Sequence, residues 1–261
     1  MSANAAVPVL MYHSIAETAG QLPVGQSVAY SVRTSEFKSQ LQMLKSKGQS
    51  VTTLTQLSRN ESLESNSVVL TFDDGCETDY SVALPCLQEF GYAATFFLST
   101  ANIGNSGYMT WAQAREMNQA GMHFGSHAHE HIPLTPLSDD ETREQLHTSK
   151  AMIEDQLGAP VTSMSAPFGF LNSRVVSIAR EIGYESICNS TPKMARPGAT
   201  TVPRIAIMHS TTPARFEQIL NGDWRSYLPA MIRTALVYVP RQILLHVRPS
   251  APGVRELKRS A

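Results

Sequence analysis

The stretch "SVVLTFDDG", residues 67–75, decides the fold class of this chain. Residues 68–72 are apolar or β-branched, which is typical of a strand buried on both faces of a parallel sheet. Two adjacent carboxylates, Asp73 and Asp74, and the turn-forming Gly75 follow directly. Because Asp and Gly both favour turns, this motif alone fits an ordinary strand end as well as it fits a functional site.

Six further short runs of apolar, β-branched and aromatic residues alternate with amphipathic stretches along the chain. Together with residues 67–72 they predict seven strands, the other six being 7–12, 92–98, 122–126, 161–165, 184–188 and 203–208. The intervening stretches carry helix signals, such as a capping box at residues 138–141 before a helix that ends near residue 157. This alternation indicates an α/β fold with a mostly parallel sheet.

Composition restricts the classes of function. The 261 residues, 42% of them hydrophobic, are enough for one large domain with a sizeable core. The 21 basic and 22 acidic residues give a formal charge of -1 without blocks of like charge, which argues against nucleic-acid binding. Three cysteines without a CxxC motif argue against a disulfide framework or a thiolate zinc site. Histidines and carboxylates must therefore hold any metal.

The ends of the chain suggest one main domain and a short extension. We expect residues 1–222 to form the domain and residues 223–261 to pack on it or trail from it. The start, "MSANAAVPVLMYHSI", lacks a basic region and predicts a strand rather than a signal peptide, and no run approaches the roughly 18 apolar residues of a membrane span. The sequence as written predicts a cytoplasmic protein, although an exported protein with a trimmed signal would look the same. It leaves the oligomeric state open.

A histidine cluster lies in "MHFGSHAHEHIPL", residues 122–134, where four of the eight histidines fall within nine residues. His127 and His131 can converge on one ion from a helix or a tight loop, whereas His127 and His129 can do so from one face of a strand. Pairing His123 with His127 needs a helix through Gly125, so His123 is interpreted as structural. A polar surface loop with incidental imidazoles is the alternative to a metal site.

The polar residues that follow the predicted strands converge on one edge of the sheet. His13 follows the first strand, the two aspartates the second, the histidine cluster the fourth and "APFG", residues 166–169, the fifth. The carboxyl ends of parallel strands share one rim, where sites of α/β proteins are built. This convergence favours the site interpretation of "TFDDG" over the simple turn.

Three motifs in this order resemble the polysaccharide deacetylases of carbohydrate esterase family 4, the NodB-homology domain. They are "TFDDG", "SHAHEHIPL" at residues 126–134 as an H-[ST]-x-x-H motif, and "APFGFLNSRVVSIAREIGYES" at residues 166–186. The resemblance covers residues 7 to 222 and is nearest to the poly-N-acetylglucosamine de-N-acetylase-like branch. It implies that the domain is a distorted (β/α)7-type barrel of mostly parallel strands.

The resemblance also implies an activity, which is the removal of N-acetyl groups from an N-acetylated amino sugar by a metal-activated water. Asp73 would be the catalytic base. One divalent ion, zinc by default with cobalt or nickel as alternatives, would be held by Asp74, His127 and His131. The third motif, Pro167 with the backbone N–H of Phe168, would stabilise the oxyanion. Separately from the motifs, Trp111 either stacks on the sugar or anchors the start of a helix.

Two histidines are candidates for the acid that protonates the departing amine. Family members usually take it from an L-x-H motif near the C-terminus, which here is "ILLHV" with His246. In the branch named above that strand is moved to the N-terminus, and "PVLMYHSI", residues 8–15, resembles it. The prediction is therefore His13 rather than His246.

The sequence departs from the family pattern at two positions. Ser165 stands where an arginine usually orients the base, and Ala128 stands where Ser or Thr is usual. Arg204 is a candidate replacement, but it lies at the start of the predicted seventh strand, away from the rim. Two other functions compete with deacetylation: a catalytically weakened carbohydrate-binding protein on this fold, and a metal-dependent amidohydrolase of a non-sugar amide.

Overall fold

A computed structural model describes residues 6–18, 21–23, 26–61 and 63–228. Its strands are β1 Val9–Tyr12, β2 Ser14–Ile15, β3 Ser31–Val32, β4 Ser50–Thr52, β5 Ser67–Asp74, β6 Thr95–Leu98, β7 His123–Ser126, β8 Ser163–Ser165, β9 Ser186–Cys188, β10 Thr201–Val202 and β11 Ile205–Ala206. Its α-helices are α1 Thr34–Ser46, α2 Leu54–Ser58, α3 Leu84–Phe90, α4 Trp111–Gln119, α5 Asp139–Leu157, α6 Ser173–Glu181 and α7 Pro213–Leu220. Strands and helices alternate along the chain.

The main sheet is parallel and has the order β10-β9-β8-β7-β6-β5-β1-β11. β4 pairs with the first three residues of β5, while β6 pairs with the last four. The two edge strands, β10 and β11, are separated in sequence only by residues 203 and 204, which can span about 11 Å at most. This short link brings the two edges together and curls the sheet into a distorted barrel, which confirms the predicted fold class.

The seventh predicted strand, residues 203–208, is wrong in its bounds. The structure has two short strands instead, β10 on one edge of the sheet and β11 on the other. Pro203 stands between them, and a proline cannot donate to a ladder of backbone hydrogen bonds. The short strands β2, β3 and β4 were not predicted, because two or three residues are too few for a recognisable alternation.

Alternation along the strands divides the apolar residues between two cores. Val9, Val69 and Phe97 belong to a small core inside the barrel. Residues at the intervening positions belong to a larger core between the sheet and the helices, where the ring of Phe72 lies 5.2 Å from that of Tyr12 and 4.7 Å from that of Phe96. Because side chains alternate along a strand, Asp73 follows Val69 and Thr71 on the inward face.

The end of the described chain continues on the same domain. The guanidinium Nε of Arg215, on α7, donates to the carbonyl of Ser226 at 2.8 Å, so residues 223–228 pack back against that helix. Residues 229–261, and with them most of the predicted extension, lie outside the described residues. Of the helices that the structure describes, none is long and apolar enough to cross a membrane.

Candidate active site

The two carboxylates of "TFDDG" both lie at the rim of the barrel because the backbone there has an unusual conformation. Both Asp73 and Asp74 are buried at the end of β5. Asp74 has φ of 82°, in a region that residues with a Cβ rarely adopt. In a regular strand the two side chains would point to opposite faces, whereas here both lie at the mouth of the barrel and contact different partners.

Asp74 faces two imidazoles. Its Oδ1 lies 3.4 Å from Nε2 of His127 and 3.4 Å from Nε2 of His131, and the candidate ligand atoms of the three residues all lie within 4.8 Å of one another. Ligands about 2.1 Å from a tetrahedral zinc ion lie about 3.4 Å apart, so the spacing suits a shared ion. Oδ1 is also buried without a hydrogen-bond partner among the described residues. The donor set therefore fits a divalent cation.

The two imidazoles differ in protonation. Nδ1 of His127 lies 2.8 Å from the carbonyl oxygen of Ser165, which can only accept, so the neutral ring carries its proton on Nδ1 and offers Nε2 to an ion. Burial would lower the pKa of His127, but the carboxylates of Asp73 and Asp74 outweigh that effect and raise it, so an ion at Nε2 competes with a proton. Burial lowers the pKa of His131 to about 4, which keeps that imidazole neutral. The pKa of Asp74 is lowered: burial would raise it, but the surrounding histidines outweigh that effect.

The alternative histidine pairings do not form. His129 turns away from the triad, and its Nδ1 lies 2.9 Å from Oγ1 of Thr100. Ala128 between the two histidines has φ of 63°, so the chain is not extended there and His127 and His129 do not share a face. His123 is exposed at the first residue of β7, the opposite end of the strand from the site. The pair at i and i+4 converges from a loop.

The other carboxylate, Asp73, forms a bidentate ion pair. Arg204 donates from Nη1 to Oδ1 and from Nη2 to Oδ2, each at 2.7 Å. Ser165 Oγ accepts from Nη2 of Arg204 at 2.6 Å and donates to Oδ2 of Asp73 at 3.3 Å. The pKa of Asp73 is lowered, because the charge of Arg204 outweighs the opposing effect of burial. Asp73 is therefore ionised at neutral pH.

The expectation that Arg204 lies away from the rim is wrong. Pro203 breaks the predicted seventh strand, so Arg204 stands in the link between β10 and β11 rather than at the start of a continuous strand. Its side chain is fully buried among residues of the barrel interior and meets Asp73 directly. Ser165, at the position of the usual arginine, adds a hydroxyl to the same pair.

His13 lies on the same rim, directly after β1. Its Nδ1 is buried without a hydrogen-bond partner in the described ranges, and its ring centroid lies 4.7 Å from that of Tyr30. Burial lowers the pKa of His13, and the carboxylates of Asp74 and Asp73 act against that effect. The competing candidate, His246, lies outside the described residues.

The third motif forms a turn beside the metal ligands. Phe168, in the short helical turn Pro167–Gly169, has φ of 60°, and its ring centroid lies 4.5 Å from that of His131. Asp74, Ala128 and Phe168 are three of the four non-glycine residues with positive φ in the part of the chain that is described. Such strain concentrates at functional sites. Trp111 is the first residue of α4 and packs against the large core, as a helix-start anchor does.

One contact was not predicted from the sequence. Nε2 of Gln26 donates to Oδ2 of Asp74 at 2.8 Å. Gln26 lies 48 residues before Asp74, on the connection from β2 to β3, and belongs to none of the three motifs. No local pattern marks it.

Comparison with known proteins agrees with this geometry. A sequence model of the polysaccharide deacetylase family matches residues 60–187. The chain resembles this family over just under half of its length. It is 29% identical over 195 residues to YxkH of Bacillus subtilis, whose name assigns it to the same family; the match covers 73% of this chain and 67% of that protein. A poly-beta-1,6-N-acetyl-D-glucosamine N-deacetylase of Staphylococcus epidermidis is 25% identical over 217 residues, 76% of this chain and 73% of the relative.

Solved structures show the same fold. The deacetylase PplD of Streptococcus pyogenes, solved with acetate, superposes with a TM-score of 0.75 at 27% identity, covering 83% of this chain and 99% of that one. IcaB from Ammonifex degensii gives a TM-score of 0.73 at 25% identity, covering 84% and 97%. These similarities confirm the predicted resemblance to polysaccharide deacetylases and are consistent with the poly-N-acetylglucosamine de-N-acetylase-like branch.

The Asp73–Arg204 pair predicts a specific pattern of stability. Arg204→Met should lower the free energy of unfolding by about 3–5 kcal/mol, because it leaves a buried carboxylate without its cation. Asp73→Asn combined with Arg204→Met should recover part of that loss, since no charge is then unpaired. Urea unfolding of the metal-free proteins at pH 7 measures both. A double variant no more stable than Arg204→Met would contradict the pairing.

Proposed function

We propose that this chain is a metal-dependent carbohydrate N-deacetylase that hydrolyses the N-acetyl group of an amino sugar to acetate and a free amine. The observation that carries the proposal is the separation of the two adjacent carboxylates. Asp74 faces His127 and His131 as a ligand set, while Asp73 is held by Arg204 at the same rim. Metal-assisted hydrolysis needs these two functions side by side.

The metal would be held by Asp74, His127 and His131, with zinc as the first candidate and cobalt or nickel as alternatives. Two imidazoles and one carboxylate suit these ions and leave coordination positions open, as a catalytic site requires. When bound, such an ion polarises the acetamide carbonyl and lowers the pKa of a water molecule. No thiolate contributes to the candidate cluster.

Asp73 would act as the general base. Its carboxylate is ionised and fixed in orientation by two hydrogen bonds from Arg204 and one from Ser165. An ion pair makes the carboxylate a weak base, so it suits a water whose pKa has already been lowered. The left-handed turn at Phe168, next to His131, would present its backbone N–H to the developing oxyanion.

His13 would protonate the leaving amine. It follows β1, whereas Asp73 is the second-last residue of β5, and these strands are direct neighbours in the sheet. The unpartnered Nδ1 and the influence of both carboxylates on His13 support its place at the mouth of the barrel.

The substrate is the first thing to test. Relatives named as poly-beta-1,6-N-acetyl-D-glucosamine N-deacetylases support β-1,6-linked N-acetylglucosamine oligomers as the leading candidates. Acetate release should be measured from these oligomers, from chito-oligosaccharides and from simple amides, each with and without a chelator. We expect chelator-sensitive release from a sugar, restored by added zinc. Release from simple amides alone would favour the amidohydrolase, and sugar binding without any release the binding protein.

Substitutions of the two aspartates should have different effects on zinc binding and on activity. Asp74→Ala should lose both zinc and activity, whereas Asp73→Asn should keep zinc and lose about 10²–10⁴-fold in kcat, because the zinc ligands are untouched and the base is removed. Zinc content after dialysis and single-substrate kinetics measure the two effects. The exposed Asp155→Asn is the matched control and should behave as wild type. Full activity in Asp73→Asn would refute the base assignment.

The role of His13 can be separated from that of the base by changing the leaving group. His13→Ala should lose about 10²-fold or more on the sugar acetamide, whose amine needs a proton to depart. On 4-nitrophenyl acetate, whose leaving group needs none, the loss should stay below about tenfold. His246→Ala is the comparison variant and should change neither rate. The reverse pattern between the two variants would move the acid to His246.

A further inference from the structure

Three polar side chains form a closed ring behind Asp74. Oγ of Ser14 lies 2.5 Å from Oε1 of Gln26, and Nε2 of Gln26 lies 3.0 Å from Sγ of Cys76. Sγ of Cys76 lies 3.3 Å from Oγ of Ser14, which completes the ring. The second hydrogen of the Gln26 amide goes to Oδ2 of Asp74 at 2.8 Å.

The hydrogen count of this ring gives each contact a direction. Oε1 of Gln26 can only accept, so the single hydroxyl hydrogen of Ser14 is used there. In the contact between Ser14 and Cys76 the donor must then be the thiol of Cys76. The NH2 group of Gln26 uses one hydrogen for Asp74 and the other for the sulfur. Every donor in the ring has an acceptor, so the amide has one favoured orientation.

This orientation makes the two oxygens of Asp74 unequal. Oδ2 accepts from Gln26, whereas Oδ1 faces both imidazoles and has no hydrogen-bond partner within the described chain. A neutral amide donor holds Oδ2 without adding charge or competing for the ion.

We propose that Gln26 is a positioning residue that makes Asp74 a single-oxygen metal ligand, and that Ser14 and Cys76 hold the amide in contact with Asp74. The inference rests on the proposed metal site and names residues outside the family motifs. Partners that orient metal ligands commonly change metal affinity 10–100-fold when removed, without touching the ion.

The carboxylate of Asp74 is the group that excludes the opposite amide orientation. With the amide turned over, Oε1 of Gln26 would face Oδ2 of Asp74, and two acceptors would repel each other. The nitrogen would then face Ser14, whose hydroxyl could accept from it. Asp74 therefore selects the observed orientation, and Ser14, which donates to Oε1, and Cys76, which accepts from Nε2, hold the amide in it.

A purely structural role is the competing explanation. Gln26 lies on the connection between β2 and β3, and its contacts also tie that connection to the barrel. Gln21 lies on the same connection, where its side-chain oxygen accepts from the backbone N–H groups of Glu17 and Thr18. Gln21→Leu therefore loosens the same segment without touching Asp74 and serves as the matched control.

The test compares zinc affinity in wild type, Gln26→Leu, Ser14→Ala and Gln21→Leu. Affinity is measured by competition with a chromophoric chelator, and thermal unfolding of the metal-free proteins is measured in parallel. We expect about 10–100-fold weaker zinc binding in Gln26→Leu. Ser14→Ala, which keeps the amide but removes the hydroxyl that donates to its oxygen, should give a smaller loss in the same direction. Gln21→Leu should bind zinc as wild type does.

Each outcome decides between the explanations. Unchanged zinc affinity in Gln26→Leu would overturn the inference while leaving the proposed deacetylase intact. An equal loss of affinity in Gln21→Leu would assign the effect to order in the connection and overturn it as well. If Gln26→Leu fails to fold, the affinity of Ser14→Ala carries the test. A wild-type chain that binds no zinc, cobalt or nickel would remove the proposed function and this inference together.

Discussion

The buried ion pair between Asp73 and Arg204 is the constraint on which the rest of the site depends. Both side chains are almost completely removed from water, where an unpaired charge would cost several kcal/mol. Arg204 satisfies all five N–H groups, two toward Asp73 and one each toward Thr71, Ser165 and the carbonyl of Asn189. These partners come from β5, β8 and the end of β9, so only the closed barrel satisfies the guanidinium.

The same pair gives two neighbouring carboxylates different electrostatic surroundings. Asp73 is neutralised by a permanent cation, whereas Asp74 faces two imidazoles and the neutral amide of Gln26. The two carboxylates also differ in direction from a regular strand, because the left-handed conformation of Asp74 breaks the alternation of side chains along β5. Strain at Asp74, Ala128 and Phe168 is tolerated where the surrounding hydrogen bonds and packing hold the backbone.

Much of this arrangement follows from local patterns. The apolar runs locate β1, β5, β6, β7, β8 and β9. The rule that the carboxyl ends of parallel strands share one rim predicts that His13, the aspartates and the histidine loop lie together. Local sequence patterns did not decide whether His129 or His131 pairs with His127. It depended on the left-handed backbone at Ala128 and on Thr100, which follows a neighbouring strand and contacts His129.

The sequence by itself determined the strand pattern, the family motifs and the residues that end the strands, because periodicity and turn residues act over a few neighbouring positions. Only the tertiary structure decided that Arg204 pairs with Asp73 beside Ser165 and that Gln26 donates to Asp74. These contacts join residues 131 and 48 positions apart. Their formation depends on the closure of the barrel and on the path of a connecting segment, which no short stretch of sequence encodes.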